Sequence, residues 1–107
     1  MFELDGLLFD WDKNKNLSNI RKHGVSFKVA ATAFFDPQAQ RLDDFEHSWD
    51  EDRFVLIGYS DDYQLLTVCH CRRDIGERNV IRIFSAREAS ELEQKIYGGD
   101  EYGFFGN

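Results

Sequence analysis

From Phe54 to Ser85 three strand-like runs are separated by two polar turns, and this pattern restricts the fold more than any other feature. Phe54 to Tyr59 is apolar on both faces, as a strand inside a sheet should be. Asp61-Asp62 turns the chain into Gln64 to Arg73, and Asp74 to Arg78, with Gly76, leads into Val80 to Ser85. Turns this short join antiparallel neighbours, so the three runs predict an antiparallel meander.

The chain on either side adds helices. Leu7 to Trp11 reads as a first strand, after which Asp12 N-caps a helix over Lys13 to His23 and Gly24 stops it in the αL conformation. Ser26 is a second N-cap, for Phe27 to Phe35, where Phe27, Ala30, Ala31, Phe34 and Phe35 fall at helical spacing. Asp36-Pro37 ends that helix, because the residue before proline leaves the α region. Ala39 to Leu42 is a short strand and Asp43 to Asp52 an acidic loop. Ser85 and Glu88 form a capping-box pattern that predicts a last helix from Ala86 to about Tyr97, stopped by Gly98-Gly99. The order β-α-α-β-β-β-β-α is an α+β fold, helices packed on an antiparallel sheet whose other face is solvated or binds something. Residues 1–97 are expected to form one domain and 98–107 a short tail.

Composition excludes several classes. With 42% hydrophobic and 15% aromatic residues the chain is rich enough to fold around one core. It contains no apolar run near membrane length and no secretory leader pattern, so a soluble cytoplasmic protein is expected. Cys69 and Cys71, one residue apart on one strand, suit neither a mutual disulfide nor a zinc site and are expected as reduced thiols. The net charge of −7 argues against nucleic acid as a partner when taken alone. Its distribution argues less strongly: Arg72, Arg73, Arg78, Arg82 and Arg87 crowd together while the acids gather elsewhere.

Those arginines carry the most chemical information. Arg82 alternates with Ile81 and Ile83 and so faces away from them; Arg73 shares a face with Thr67, Cys69 and Cys71. Arg87 falls in the first turn of the predicted last helix, where it opposes the dipole. Guanidinium groups so placed either clamp a phosphate or pair with the abundant carboxylates. Lys22 and His23 have the same two readings: last-turn cations that complement a helix dipole, or edges of an anion site with a proton-transferring imidazole. His47, among carboxylates, fits no defined metal loop, and His70 points away from the flanking thiols, so no metal and no cofactor are expected.

Several segments together resemble the BrnT-type toxins of bacterial type II toxin–antitoxin pairs. They are FDWDKNK (Phe9 to Lys15), NIRKHGVSF (Asn19 to Phe27), FFDP (Phe34 to Pro37), EHSWDEDRFVLIG (Glu46 to Gly58) and IRIFSAREA (Ile81 to Ala89), closing at Tyr97. The resemblance implies a RelE-like fold and an endoribonuclease that arrests growth. It further implies metal-independent cleavage by attack of a ribose 2′-OH on the adjacent phosphate. The implied partners are an RNA substrate and a BrnA-type ribbon-helix-helix antitoxin through which alone the protein meets DNA. Carried over onto this sequence, the functional positions are Lys22, His23, Glu51, Arg53, Arg73, Arg82, Arg87 and Tyr97. Arg73, Arg82 and Arg87 would clamp phosphate; Lys22 or His23, Glu51 and Tyr97 would transfer protons or position substrate. The alternative expectation is a catalytically inert subunit that acts by complexing its DNA-binding partner, for which an acidic surface is well suited.

Overall fold

A computed structural model describes residues 1–44 and 51–99. Its first half starts and stops where local chemistry dictates. Strand β2 (Leu7–Trp11) gives way at Asp12, whose carboxylate accepts from the Lys15 N–H at 3.2 Å and caps helix α1 (Lys13–His23). Gly24, at φ 70°, closes that helix over a last turn of Arg21, Lys22 and His23. Ser26 caps helix α2 (Phe27–Thr32) through the Val29 N–H at 3.1 Å. The expected helix to Phe35 changes pitch after Thr32, and Ala33–Phe35 is a 3₁₀ turn that brings the chain to extended Asp36 before Pro37.

The sheet has six strands in the order β1-β2-β6-β5-β4-β3. Strand β1 (Phe2–Leu4), absent from the sequence reading, pairs with β2 through an Asp5-Gly6 turn with both φ values positive, the geometry of a type I′ hairpin. Strands β3 (Gln40–Asp43), β4 (Arg53–Tyr59), β5 (Leu65–Ile75) and β6 (Arg78–Glu88) run antiparallel in sequence, so the predicted meander is present. The sheet is nonetheless mixed rather than purely antiparallel, because β2 lies parallel to β6, with Asp10 opposite Arg82.

The last third of the chain corrects the sequence reading. Ser85 and Glu88 open no helix; β6 continues to Glu88, and helix α3 (Glu91–Tyr97) begins five residues after the expected start at Ala86, with a capping box between Ser90 and Glu93. Strand pairing decides this: Glu88 lies opposite Leu66, and the Ala89 N–H donates to the Leu65 carbonyl at 2.9 Å. Arg87 is therefore a strand residue and opposes no helix dipole. Residues 45–50, with His47 and most of the acidic loop, and the tail from residue 100 lie outside the described residues. Among the described residues no helix is long and apolar enough to cross a membrane.

While α1 lies alongside β6 beyond the end of β2, helix α2 and the 3₁₀ turn after it cover one face of the sheet. Phe9, Phe27, Leu66, Val68, Ile81 and Ile83 meet there, and Ala30, Ala31 and Ala33 are small enough to let α2 sit close. At Gly58 the approach is closest: a Cβ there would lie 2.9 Å from the Ala33 carbonyl oxygen. A second junction rests on one side chain. β2 stops pairing with β6 at Ile83, and beyond it the buried Asn19 amide takes the place of a strand. Its Nδ2 donates to the Ala86 carbonyl (2.7 Å) and the Val25 carbonyl (2.8 Å), and its Oδ1 accepts from the Ala86 N–H (3.1 Å).

Candidate active site

The second face of the sheet carries the charged residues. Register places Arg53 opposite Cys71, Cys71 opposite Arg82 and Arg82 opposite Asp10, so these four form one row across β4, β5, β6 and β2. Residues opposite one another across a ladder share a face, and Arg82 faces away from buried Ile81 and Ile83 as its alternation predicts. Arg73 stands two residues along β5 from Cys71 on the same face.

Ion pairs organise this row. Arg82 Nη1 donates to Asp10 Oδ2 at 2.5 Å, with both side chains partly buried. Glu51, just before β4, lies among the others: both its oxygens are 3.4 Å from Arg73 Nη2, and one is 3.9 Å from Arg53 Nη2. The buried Cys71 thiol donates to the same carboxylate at 3.6 Å. Burial pushes the thiols of both Cys71 and Cys69 up, so neither is a thiolate at neutral pH. For Arg73 a hydrogen bond with Cys71 and the Glu51 charge raise the pKa further, outweighing partial burial. Asp10 and Glu51 thus hold three guanidinium groups on one face.

The remaining candidates lie elsewhere. Arg87 is two rows further along, level with Thr67 and Ile57, and its guanidinium makes a two-pronged contact with Glu93 at 2.7 and 2.9 Å. Burial alone would raise the Glu93 carboxyl; hydrogen bonds from Arg87 and the Ser90 N–H outweigh it and leave the group at about 2. Arg87 thereby ties α3 to the sheet. Tyr97 is more distant still. Its hydroxyl donates to Asp36 Oδ2 at 2.7 Å and its ring stands edge-on to Tyr59, at the opposite end of β4 from Arg53. Tyr59 is six residues along the strand from Arg53, a separation of about 20 Å. Burial and the Asp36 carboxylate push the Tyr97 hydroxyl up to about 12.

Lys22 and His23 are exposed at the end of α1 and, among the described residues, make no hydrogen bond or ion pair. They lie three and four residues beyond Asn19, which is held at Ala86, so the structure places them past the Arg87 end of β6 and not beside Arg82. The start of the same helix comes nearer. Lys15 Nζ is 5.4 Å from the Phe84 ring, and Arg53 Cζ is 4.0 Å from it. Neither Lys15 nor Phe84 was singled out in the sequence. Their proximity depends on α1 lying along β6, which no local pattern encodes.

Two other features have separate explanations. His70 lies on the helix-covered face between Phe34 and Phe54, away from both thiols as strand alternation predicts, and burial holds it down at about 4. A cleft of about 500 Å³ lies away from the arginine row, between the Asp5-Gly6 turn and the β5–β6 hairpin, lined by Glu3, Leu8, Arg72 and Arg78. Its Arg72 binds Asn79, and among the described residues it holds no carboxylate–guanidinium cluster like that at Glu51.

A family model described as the ribonuclease toxin BrnT of type II toxin–antitoxin systems matches residues 11–93. The chain belongs to the BrnT family. Membership makes it a toxin of the ribonuclease class with RNA as substrate and an antitoxin as partner. The matched span contains Arg53, Cys71, Arg73 and Arg82, begins one residue after Asp10 and ends before Tyr97. Among solved structures, the ribonuclease toxin BrnT of Brucella abortus is similar, with a TM-score of 0.56 and 23% identity over 79% of this chain and 99% of that one. That likeness bears on the fold, which it supports as α+β. No curated protein matches the sequence.

Proposed function

We propose that the face carrying Arg53, Arg73 and Arg82 binds single-stranded RNA and cleaves it without a metal ion. The observation that carries this reading is the convergence of Arg53 and Arg73 around one carboxylate, Glu51, with Arg82 in the same row across the sheet, on a face that α2 leaves uncovered. In this reading the arginines hold a phosphate and stabilise the charge that builds on it in the transition state. Glu51 takes the proton of the 2′-OH as its oxygen bonds to phosphorus. The bond from phosphorus to the 5′-oxygen breaks, water protonates that oxygen, and a cyclic phosphate is left. Asp10 is a positioning residue that fixes Arg82. Arg87, Tyr97, Lys22 and His23, implied by family resemblance, take supporting places in this reading: Arg87 and Tyr97 anchor α3, and Lys22 and His23 terminate α1.

The antitoxin is proposed to be a basic ribbon-helix-helix protein, for which the net charge of −7 is complementary. One observation favours the inert-subunit alternative: Arg73, Arg82 and Arg87 each already have a carboxylate partner. Expression in a bacterial host separates the two. Growth arrest that is relieved by the antitoxin and lost in Arg82→Ala or Arg73→Ala, with the variants still folded, supports the nuclease face. Full toxicity of both folded variants refutes the clamp.

A further inference from the structure

The ladder between β5 and β6 is interrupted at one point. Cys69 faces Ser85 and His70 faces Ile83, leaving Phe84 as an extra residue in β6. Alternation from buried Ile83 puts the Phe84 ring on the face of Arg82, and the bulge keeps Ser85 on that face as well, opposite Cys69. The ring is half-buried, with the Arg53 guanidinium 4.0 Å and the Lys15 ammonium 5.4 Å from its centre. Arg82 lies two residues along the same strand, a separation of about 7 Å. An aromatic surface and a phosphate-binding guanidinium are thus spaced to meet the base and the phosphate of one nucleotide.

We infer that the Phe84 ring and the Arg53 guanidinium form a stacking platform for one nucleobase of the RNA strand whose phosphate the arginines hold. The inference rests on the nuclease-face reading and adds to it the part of the substrate that this chain distinguishes from bare phosphate. Aromatic rings and guanidinium planes both accept unpaired bases, which present a π-face in single strands and hide it in duplexes. The platform therefore selects single-stranded over double-stranded RNA. Lys15, on a flexible stem at the first turn of α1, yields its place on the ring to the base and remains beside the backbone as a countercharge.

Binding measurements on the full chain test this with two probes, a short single-stranded oligoribonucleotide whose reactive 2′-hydroxyls are methylated and an inorganic polyphosphate of similar charge. Phe84→Leu is expected to weaken the oligoribonucleotide about five- to 150-fold, the worth of one base–aromatic stack, and to leave polyphosphate affinity within about twofold. Phe84→Tyr, which keeps the ring, is expected to retain wild-type affinity and so separates stacking from folding. Equal oligoribonucleotide affinity in the folded Leu variant overturns the platform and leaves the phosphate clamp standing. A parallel loss of polyphosphate binding also overturns it, since the change would then act through the arginines. A wild type that binds polyphosphate but not the oligoribonucleotide overturns the nuclease-face reading, and the platform with it.

Discussion

Replacing Asn19 by alanine tests how α1 is joined to the sheet. The amide makes three hydrogen bonds of 2.7, 2.8 and 3.1 Å, and it satisfies both the N–H and the carbonyl of Ala86 where β2 no longer reaches. Truncation leaves those two groups and the Val25 carbonyl without partners in a site where Val25 and Ala86 are buried. Each orphaned group costs about 1–3 kcal/mol, and with partial relaxation the total comes to about 3–5 kcal/mol. That is a large share of the roughly 5–15 kcal/mol that holds a domain together. Urea unfolding followed by circular dichroism at pH 7.5 measures it. Asn19→Asp, equal in size but lacking the two donors, is expected to lose at least as much, because it sets a carboxylate against two carbonyls. Asn16→Ala, which removes only the cap on the Phe27 N–H at 2.8 Å, is expected to lose about 1 kcal/mol. If Asn19→Ala stays within about 1 kcal/mol of wild type, the claim that its amide replaces a strand is wrong.

Gly58→Ala is expected to destabilise by about 1–3 kcal/mol, because its Cβ would press the Ala33 carbonyl at 2.9 Å and the Ala39 Cβ at 3.1 Å; a melting temperature equal to wild type would refute the close approach. His70 makes stability fall in mild acid. Its folded pKa of about 4 lies below the unfolded value of 6.5, so its contribution is complete above about pH 6.5 and is lost as pH falls toward 4. Between pH 7.5 and 5.0 that amounts to about 2 kcal/mol, and His70→Leu should lose that much less than wild type over the same interval of urea unfolding. Tyr97→Phe removes one hydrogen bond to Asp36 and is expected to lower stability by about 1 kcal/mol while leaving RNA cleavage intact. Abolished cleavage in that folded variant would return Tyr97 to the chemistry.

Most of the fold was legible where chemistry is local. Asp12, Gly24 and Ser26 act within four residues of their own helices, so their effect could be read directly from the chain. The same locality explains the misplaced last helix. Ser85-Glu88 and Ser90-Glu93 are equivalent as capping patterns, and only the pairing of Glu88 with Leu66 chooses between them. Strand β1 carried a readable turn, Asp5-Gly6, but its three residues gave too little alternation to count. On the functional side, alternation placed Arg73 on the face of Cys71 and turned Arg82 away from Ile81 and Ile83; pairing of β5 with β6 puts the two on one face, and the grouping with Glu51 and Arg53 came from family resemblance. Phe84 alternates onto the face of Arg82, but its neighbours Lys15 and Arg53 come from other elements, which no local pattern encodes. Arg87 and Tyr97 are instead drawn away by partners on other elements, Glu93 and Asp36.

The most direct test of the nuclease face is cleavage of single-stranded RNA by the purified protein in excess EDTA, comparing wild type with Glu51→Gln, Arg73→Ala and Arg82→Ala. The account predicts wild-type products ending in cyclic phosphate and a loss of at least about 100-fold in rate for each folded variant, the size expected when a base or a charge-stabilising donor is removed. Wild-type rates in all three variants, or cleavage that EDTA abolishes, would contradict it.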